Sequence, residues 1–361
     1  MLEHGGRLRQ AANRYGIPLS NWLDLSTGIN PNGWPVPPVP AEYWQRLPED
    51  DDGLLAAAQA YYQNPSLLAV AGSQAAIQTL PLLRQACRVG VLHPAYAEHA
   101  ESWRKAGHQL VIVDAANITG QLDDLDVLIV INPNNPTGQR WRRRQLLQWH
   151  AQLSVRGGWL IVDEAFMDGT SEHSLSPLPV RPGLIVLRSI GKFFGLAGIR
   201  CGFVIAEQEL LQYLAEQLGP WPISHPGRYV ATQALSDTDW QRHAAAALKQ
   251  QGQRLGNLLA DSGWPPQGGC DLFQWLKTDT AVILHDLLAQ QGILTRLFTT
   301  PASLRFGLPK DELAWQRLTQ ALAHPKIKQL LAQAKIGELN SAQLKVIYAN
   351  EFTPSKKTVV D

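Results

Sequence analysis

The stretch that decides the fold is a short apolar run leading into a glycine-rich loop, Leu184-Ile-Val-Leu-Arg-Ser-Ile-Gly-Lys192-Phe-Phe-Gly-Leu-Ala-Gly-Ile-Arg200-Cys-Gly-Phe203. The apolar run, residues 184–187, predicts a strand buried in a sheet. Lys192 follows among small and apolar residues, where lysine is rarely buried unless it is paired or chemically engaged. A desolvated lysine has a lowered pKa and can form a Schiff base with a carbonyl. Arg200 can bind a phosphate through two hydrogen bonds. These residues leave open the alternative of a structural loop whose lysine end reaches water.

This stretch resembles the lysine segment of the fold-type I pyridoxal-phosphate (PLP) enzymes, and most of all the branch holding histidinol-phosphate aminotransferase and threonine-phosphate decarboxylase. The resemblance rests on Ser-Ile-Gly-Lys at residues 189–192 and on Leu-Ala-Gly-Ile-Arg-Cys-Gly-Phe at residues 196–203. It implies that Lys192 forms a Schiff base with the cofactor, pyridoxal 5'-phosphate. It also implies that Arg200 binds the cofactor phosphate and that Ser189 adds a further phosphate contact.

Three other polar turns each follow a predicted strand. Gly72-Ser73-Gln74 follows residues 67–71, the run containing Asn135 follows residues 126–131, and Asp163 follows residues 158–162. The alternation of strands with helices predicts a mainly parallel sheet, and such sheets bind ligands beyond the carboxyl ends of their strands. We therefore expect these turns and Lys192 to meet at one edge of the sheet, a conclusion that does not depend on the resemblance.

Each turn carries chemistry that suits a phosphorylated cofactor. A glycine turn at a helix start offers N–H groups to an anion, although an ordinary strand–helix junction looks the same. The resemblance implies that Gly72, Ser73 and Gln74 cradle the cofactor phosphate and that Asn135 hydrogen-bonds the cofactor 3'-oxygen. An Asp at a strand end can pair with a pyridinium nitrogen and keep the ring electron-withdrawing. We assign that role to Asp163, which with Lys192 forms the predicted catalytic pair.

A histidine stands where the family places an aromatic residue against the cofactor ring. This position, three residues after Tyr96, is His99 in the run His93-Pro-Ala-Tyr96-Ala-Glu-His99. An imidazole can stack on a ring, and an exposed helical histidine is the alternative. Two histidines six apart have poor metal-ligand spacing, so we expect no metal site here.

The predicted substrate contacts lie at the two ends of the chain. The run Ser303-Leu-Arg305-Phe-Gly resembles the family segment whose arginine binds the substrate carboxylate, which implies that role for Arg305. Arg296 is a candidate for the substrate's phosphate, because arginine suits planar anion recognition. Near the N-terminus, residues 24–31 resemble the family segment that lies over the active site. This resemblance implies that Gly28 and Asn30 contact the substrate.

Two positions depart from the aminotransferase pattern. The family commonly has a tyrosine, just before a proline, that reaches the cofactor phosphate of the neighbouring subunit, and here that position is Leu47. Phe166 stands where the aminotransferases have a tyrosine that helps to hold the cofactor 3'-oxygen. Phe166 therefore favours the decarboxylase side of the branch.

Composition excludes several classes of protein. Apolar residues make up 45% of the 361 residues and charged residues 17%, so the chain can bury a sizeable core. A net charge of +1 gives no case for nucleic acid. The three cysteines lack metal or disulfide spacing and suit a reducing compartment. With no secretory segment and no run of 18 apolar residues, we expect a cytoplasmic protein with no membrane partner.

The expected fold class is α/β, an aspartate aminotransferase-like fold of type I with a mainly parallel sheet and a smaller C-terminal α/β domain. The predicted divisions are an N-terminal arm over residues 1–40, a large PLP-binding domain over 41–235 and a small domain over 236–325. Residues 1–325 contain five lysines and residues 326–361 contain six, so the latter are predicted to be a tail of unknown role, dispensable for catalysis.

The resemblance implies PLP-dependent decarboxylation of L-threonine O-3-phosphate to (R)-1-amino-2-propanol phosphate, a step of cobalamin biosynthesis, by a homodimer. Transamination, as in histidinol-phosphate aminotransferase, is the alternative within the enzymes. A non-catalytic PLP-binding scaffold protein is the alternative of another class. Retention of Lys192, Asp163 and Arg200 argues against the scaffold.

Overall fold

The structure is a computed structural model that describes residues 4–336. The strands are β1 (Leu23–Leu25), β2 (Leu67–Val70), β3 (Arg88–Leu92), β4 (Gln109–Val113), β5 (Val127–Ile131), β6 (Trp159–Asp163), β7 (Leu184–Ser189), β8 (Gly202–Ile205), β9 (Gly268–Cys270), β10 (Phe273–Lys277), β11 (Ile293–Thr299) and β12 (Ala302–Gly307). The helices are α1 (Leu8–Tyr15), α2 (Glu42–Gln45), α3 (Leu54–Tyr62), α4 (Ser73–Thr79), α5 (Ala97–Lys105), α6 (Arg143–Ser154), α7 (Gln208–Leu218), α8 (His225–Ser236), α9 (Thr238–Asp261), α10 (Ala281–Ala289), α11 (Glu312–Leu322) and α12 (Pro325–Ile336).

Seven strands form the sheet of the large domain, in the order β2-β8-β7-β6-β5-β3-β4. Strand β8 runs antiparallel to both of its neighbours, while β7, β6, β5, β3 and β4 pair in parallel. Every residue of β5 and β7 is buried, as expected for apolar strands that are covered on both faces. The predicted mainly parallel sheet is confirmed.

This topology brings the predicted turns to one edge. Strands β2, β5, β6 and β7 point the same way, so their carboxyl ends lie at one edge of the sheet, with the antiparallel strand β8 between β2 and β7. Gly72 follows β2, the loop carrying Asn135 follows β5, Asp163 ends β6, and Ser189 ends β7. The edge on which the sequence places the site is therefore a single continuous surface.

The small domain contains a five-stranded sheet in the order β1-β11-β12-β10-β9. Strand β1 comes from the N-terminal segment and pairs in parallel with β11, Leu23 opposite Ile293. The sequence predicts an irregular arm here. A strand of three residues is too short for an alternating pattern to reveal it, and its pairing partner lies near the other end of the chain.

Helix α9 runs 24 residues from near the predicted domain boundary into the small domain. Helix α12 falls within the predicted tail, but its Ile327 and Leu330 are buried in the main hydrophobic core. The remainder of that tail, residues 337–361, lies outside the described residues. Across residues 4–336, the helices lack the combination of length and apolar content that a membrane span requires.

Candidate active site

The carboxyl edge of the large sheet opens into a cavity of about 580 Å³. Its walls come from both domains and from the N-terminal segment. Among the lining residues are His4, Gly5, Tyr96, His99, Ile129, Ile131, Asn135, Arg296, Phe298 and Arg305. The lining thus includes the ends of β3 and β5 together with the two predicted substrate arginines of the small domain, while Gly72, Asp163, Ser189 and Lys192 are not among the residues that line it.

Lys192 lies in the loop after β7, in an apolar setting. Its Nζ lies 5.7 Å from the centroid of the Phe166 ring, and its carbonyl accepts a hydrogen bond from the Asn30 N–H at 2.9 Å. Burial lowers the pKa of Lys192 to about 8, and the positive charge of Arg305 acts in the same direction. A substantial fraction of the amine is therefore neutral and nucleophilic near pH 8.

Asp163 ends β6 as a buried carboxylate that is held at both oxygens. Oδ1 accepts a hydrogen bond from the Ala165 N–H at 3.0 Å. Oδ2 lies 2.9 Å from Nε2 of His99. His99 itself is only 3% exposed, so the alternative of an exposed helical histidine is wrong.

The phosphate cradle predicted at the start of α4 is close to Arg200. A β-carbon on Gly72, whose φ is +69°, would lie 2.7 Å from the Arg200 Nη2. Only glycine allows the guanidinium to come this close. Ser73 begins α4, while the Gln74 side chain is occupied, accepting from the Tyr96 hydroxyl at 3.2 Å and donating to Glu98 at 3.1 Å.

Ser189 ends β7 beside this cradle, and its Oγ accepts the Gly191 N–H at 3.3 Å. A serine hydroxyl that accepts one bond still has its own proton to donate. The phosphate roles of Ser189 and the cradle residues remain predictions.

Arg305 on β12 bonds both the loop after β5 and the N-terminal segment. Its Nη1 donates to Asn135 Oδ1 at 2.5 Å, and its Nη2 donates to the Ser26 carbonyl at 2.8 Å. Nε is buried and has no partner among the described residues. Burial, reinforced by the charge of Arg296, lowers the pKa of Arg305 to about 10. The bond between Arg305 and Asn135 joins residues 170 positions apart, and no local sequence pattern predicts it.

The two arginines predicted to bind the substrate stand directly opposite each other on neighbouring antiparallel strands, Arg296 on β11 and Arg305 on β12. Like charges at such a position destabilise a sheet. Both side chains line the cavity, and Arg296 lies over the Phe298 ring at 5.2 Å.

An apolar wall faces Lys192. Phe166 and Phe273 meet edge to face at 5.2 Å. A β-carbon on Gly28 would lie 2.9 Å from the Phe166 Cε1, so the N-terminal segment packs directly on this wall. Asn30 anchors the same segment by donating from Nδ2 to the Phe193 carbonyl at 2.9 Å. Gly28 and Asn30 thus lie beside the lysine loop, while their substrate contacts remain predictions.

His4 and Gly5 are site residues to which the sequence analysis gave no role. His4 Nε2 lies 2.7 Å from Glu98, and its ring is 6.1 Å from that of Tyr96. The only sequence signal is the His-Gly-Gly run just before α1. Leu47, in contrast, is 62% exposed on the surface.

Three comparisons with known proteins agree with this geometry. Residues 52–322 match the family described as aminotransferase class I and II. The chain is 59% identical to a threonine-phosphate decarboxylase of Pseudomonas aeruginosa, over 89% of this chain and 97% of the relative. It is 41% identical to a threonine-phosphate decarboxylase of a Sinorhizobium species, over 90% of this chain and 98% of the relative.

A solved structure shows the same fold. The histidinol-phosphate aminotransferase of Sinorhizobium meliloti, in complex with pyridoxal-5'-phosphate, superposes with a TM-score of 0.77 at 19% identity, covering 92% of this chain and 99% of that chain. The likeness confirms the predicted aspartate aminotransferase-like architecture.

Proposed function

Because the chain belongs to the aminotransferase class I and II family, we propose that it is a PLP-dependent decarboxylase of L-threonine O-3-phosphate. The product is (R)-1-amino-2-propanol phosphate. The high identity to two threonine-phosphate decarboxylases over most of the chain supports both the substrate and the reaction. Those names also support a place in cobalamin biosynthesis.

The observation that carries the proposal is the opposed arginine pair. Arg296 and Arg305 face one cavity in cross-strand register. A substrate with a carboxylate at one end and a phosphate at the other provides an anion for each guanidinium. Arg305, with its buried Nε and its fixed fork, suits the planar carboxylate. Arg296, which lines the same cavity, is the proposed contact for the phosphate.

The residues present fit pyridoxal phosphate. Gly72 leaves space for the Arg200 guanidinium at the start of α4, where a phosphate would lie. Asp163 offers a buried carboxylate to a ring nitrogen, and Asn135 offers an amide to the 3'-oxygen. Lys192, with its pKa lowered to about 8, provides the amine that attaches to the cofactor carbonyl.

When bound, the cofactor withdraws electrons from the substrate α-carbon. The chain's own residues decide which bond breaks. Arg305 and Arg296, by binding both ends of the substrate, would fix the rotation about its Cα–N bond and so select the bond to the carboxylate for cleavage, and such alignment is worth several kcal/mol of barrier. After carbon dioxide has left, the Lys192 amine delivers a proton to the α-carbon.

The test is incubation with L-threonine O-3-phosphate, with and without 2-oxoglutarate. We expect carbon dioxide release that does not depend on the keto acid. Glutamate formation without carbon dioxide would instead establish an aminotransferase. Purified protein that binds PLP but releases neither carbon dioxide nor glutamate would leave only the non-catalytic PLP-binding scaffold.

We also propose a cytoplasmic homodimer. Trp44 and Leu47 expose 69% and 62% of their surface on neighbouring turns, which suits coverage by a second subunit. The three cysteines are free thiols, in keeping with a reducing compartment. Light scattering of native protein and of Trp44→Lys tests the assembly. A monomeric native protein at micromolar concentration would contradict it.

A further inference from the structure

The bond between His99 and Asp163 joins two residues to which the sequence assigned separate tasks. His99 was expected to stack on the cofactor ring, and Asp163 to pair with the ring nitrogen. In the structure Nε2 of His99 lies 2.9 Å from Oδ2 of Asp163, and both side chains are about 95% removed from solvent. The imidazole edge therefore engages the carboxylate directly.

The imidazole is held in place by its surroundings. Helix α5 carries His99 in its first turn, and the Tyr96 ring stands edge-on to it with centroids 6.2 Å apart. Tyr96 is fixed in turn by donating its hydroxyl to Gln74 Oε1. The charged groups around the pair are Lys192, which interacts electrostatically with Asp163, and Glu98 and Arg200, which act on the neighbouring Tyr96.

The protonation state of the pair determines what Asp163 can do. A neutral His99 with its proton on Nε2 donates a hydrogen bond and leaves the carboxylate its full negative charge. A doubly protonated His99 would neutralise that charge, and Asp163 would lose its electrostatic preference for a cationic ring nitrogen. A buried carboxylate without a donor would become protonated more readily.

We propose that His99 is a positioning residue that acts on the cofactor through Asp163, as a neutral Nε2–H donor that keeps the carboxylate anionic and holds it in place. The inference rests on the proposed PLP-dependent function and deepens it. It differs from stacking because the hydrogen-bonding edge of the imidazole, and not its face, supplies the effect.

Two substitutions distinguish the hydrogen bond made by the edge of the His99 imidazole from stacking through its face. His99→Phe keeps a flat ring and removes the donor. His99→Gln removes the ring and keeps an N–H at a similar distance from the backbone. The readouts are the dissociation constant for PLP and the pH midpoint of its visible absorbance band, with thermal unfolding of each apoprotein to establish that it is folded.

We expect His99→Phe to weaken PLP binding about tenfold or more and to shift the absorbance midpoint, because a hydrogen bond to a buried charge is lost. The dissociation constant of His99→Gln for PLP should stay within about threefold of the native value. Equal losses in both variants, a larger loss in His99→Gln, or no loss in His99→Phe would each overturn the proposal.

The tautomer of His99 can be measured independently in the apoprotein. In protein labelled with ¹⁵N-histidine, the His99 resonances, identified by their loss in His99→Gln, should show the Nε2–H tautomer. An Nδ1–H tautomer or an imidazolium would overturn the proposal. Failure of native protein to bind PLP would refute the proposed function alone, because the tautomer is measured without the cofactor.

Discussion

Lys192 and Asp163 lie at the ends of β7 and β6, neighbouring parallel strands of one sheet, whereas Arg305 and Arg296 lie on β12 and β11, an antiparallel pair in the other sheet. We call the first set the cofactor half of the site and the second the substrate half. The cofactor half stands on strands that are buried on both faces, so its geometry follows from the sheet itself. The substrate half depends on contacts between distant segments, since Arg305 bonds both Asn135 and Ser26.

The difference has a functional consequence. Changes in the cofactor half should affect the chemical step, because we propose that its residues contact the cofactor and the reacting atoms. Changes in the substrate half should act mainly on substrate affinity and on the choice of the bond that breaks. The following experiments test that division, starting from the largest expected effect.

Lys192→Ala should abolish the chemical step. We expect kcat to fall on the order of 10⁴-fold, because the variant loses both the amine that attaches to the cofactor and the proton donor to the α-carbon. Steady-state kinetics measures the loss, and Lys277→Ala, at an exposed lysine, is the control.

Borohydride reduction of the native holoenzyme should attach the cofactor to Lys192, as located by peptide mapping. Label on another lysine would contradict the assignment.

The pH dependence of Lys192 reactivity tests the apolar setting of the cofactor half. Burial disfavours the charged ammonium, so the amine should lose its proton through about pH 8 and not near 10.5. At pH 8 roughly half of the Lys192 amine is then neutral, against about 0.3% of an exposed lysine. Reductive labelling of the apoprotein by PLP and cyanoborohydride should therefore favour Lys192 by about 100-fold.

The same titration links the two halves of the site. Arg305→Met removes a nearby positive charge, so the midpoint of Lys192 labelling should move to higher pH. A native midpoint near 10 would show that the amine is not desolvated. An unchanged midpoint in Arg305→Met would show that the arginine lies outside its electrostatic reach.

Arg305→Lys should weaken the substrate half more than Arg296→Lys does. Arg305 uses a fork of donors in a buried position, and losing one charge-assisted hydrogen bond costs about 1.5–3 kcal/mol. We expect KM to rise roughly 10- to 100-fold in Arg305→Lys and only severalfold in Arg296→Lys. The control is Arg242→Lys, at an exposed arginine. A fall in kcat with unchanged KM would place Arg305 in the cofactor half.

Gly28→Ala tests the contact between the N-terminal segment and the apolar wall. The added methyl would lie 2.9 Å from the Phe166 ring, and overpacking of this kind costs about 1–3 kcal/mol. We expect kcat/KM to fall about tenfold, with recovery when Phe166→Leu is added. Gly198→Ala is the matched control, because nothing lies within 4 Å of a β-carbon there. Equal losses at both glycines would contradict the packing argument.

The sequence predicts the cofactor half of the site better than it predicts the substrate half. The strand ends carrying Gly72, Asn135, Asp163 and Lys192 can be located from apolar runs followed by polar turns, and parallel pairing then places them on one edge. The bond between Arg305 and Asn135 cannot be read this way. It depends on how one domain packs against the other, and no local pattern encodes that.

Two further features illustrate the limit. Strand β1 pairs with β11 across most of the chain length, and three residues carry too little periodicity to predict it. His99 was placed near the cofactor by resemblance, but its bond to Asp163 depends on how α5 is rotated against β6. A sequence pattern selects the residue types at a site more readily than it selects their partners.

The smallest effect is expected at the C-terminus, which belongs to neither half. A chain truncated after residue 336 should keep kcat/KM within about twofold, since the family match ends at residue 322. Truncation after residue 324 should differ, because it also removes α12, whose Ile327 and Leu330 are buried. Losing that burial costs about 2 kcal/mol for each side chain. Thermal unfolding should therefore separate the two truncations. If truncation after residue 336 lowered activity while the unfolding temperature stayed native, residues 337–361 would have a role in catalysis, and the division into two halves would be incomplete.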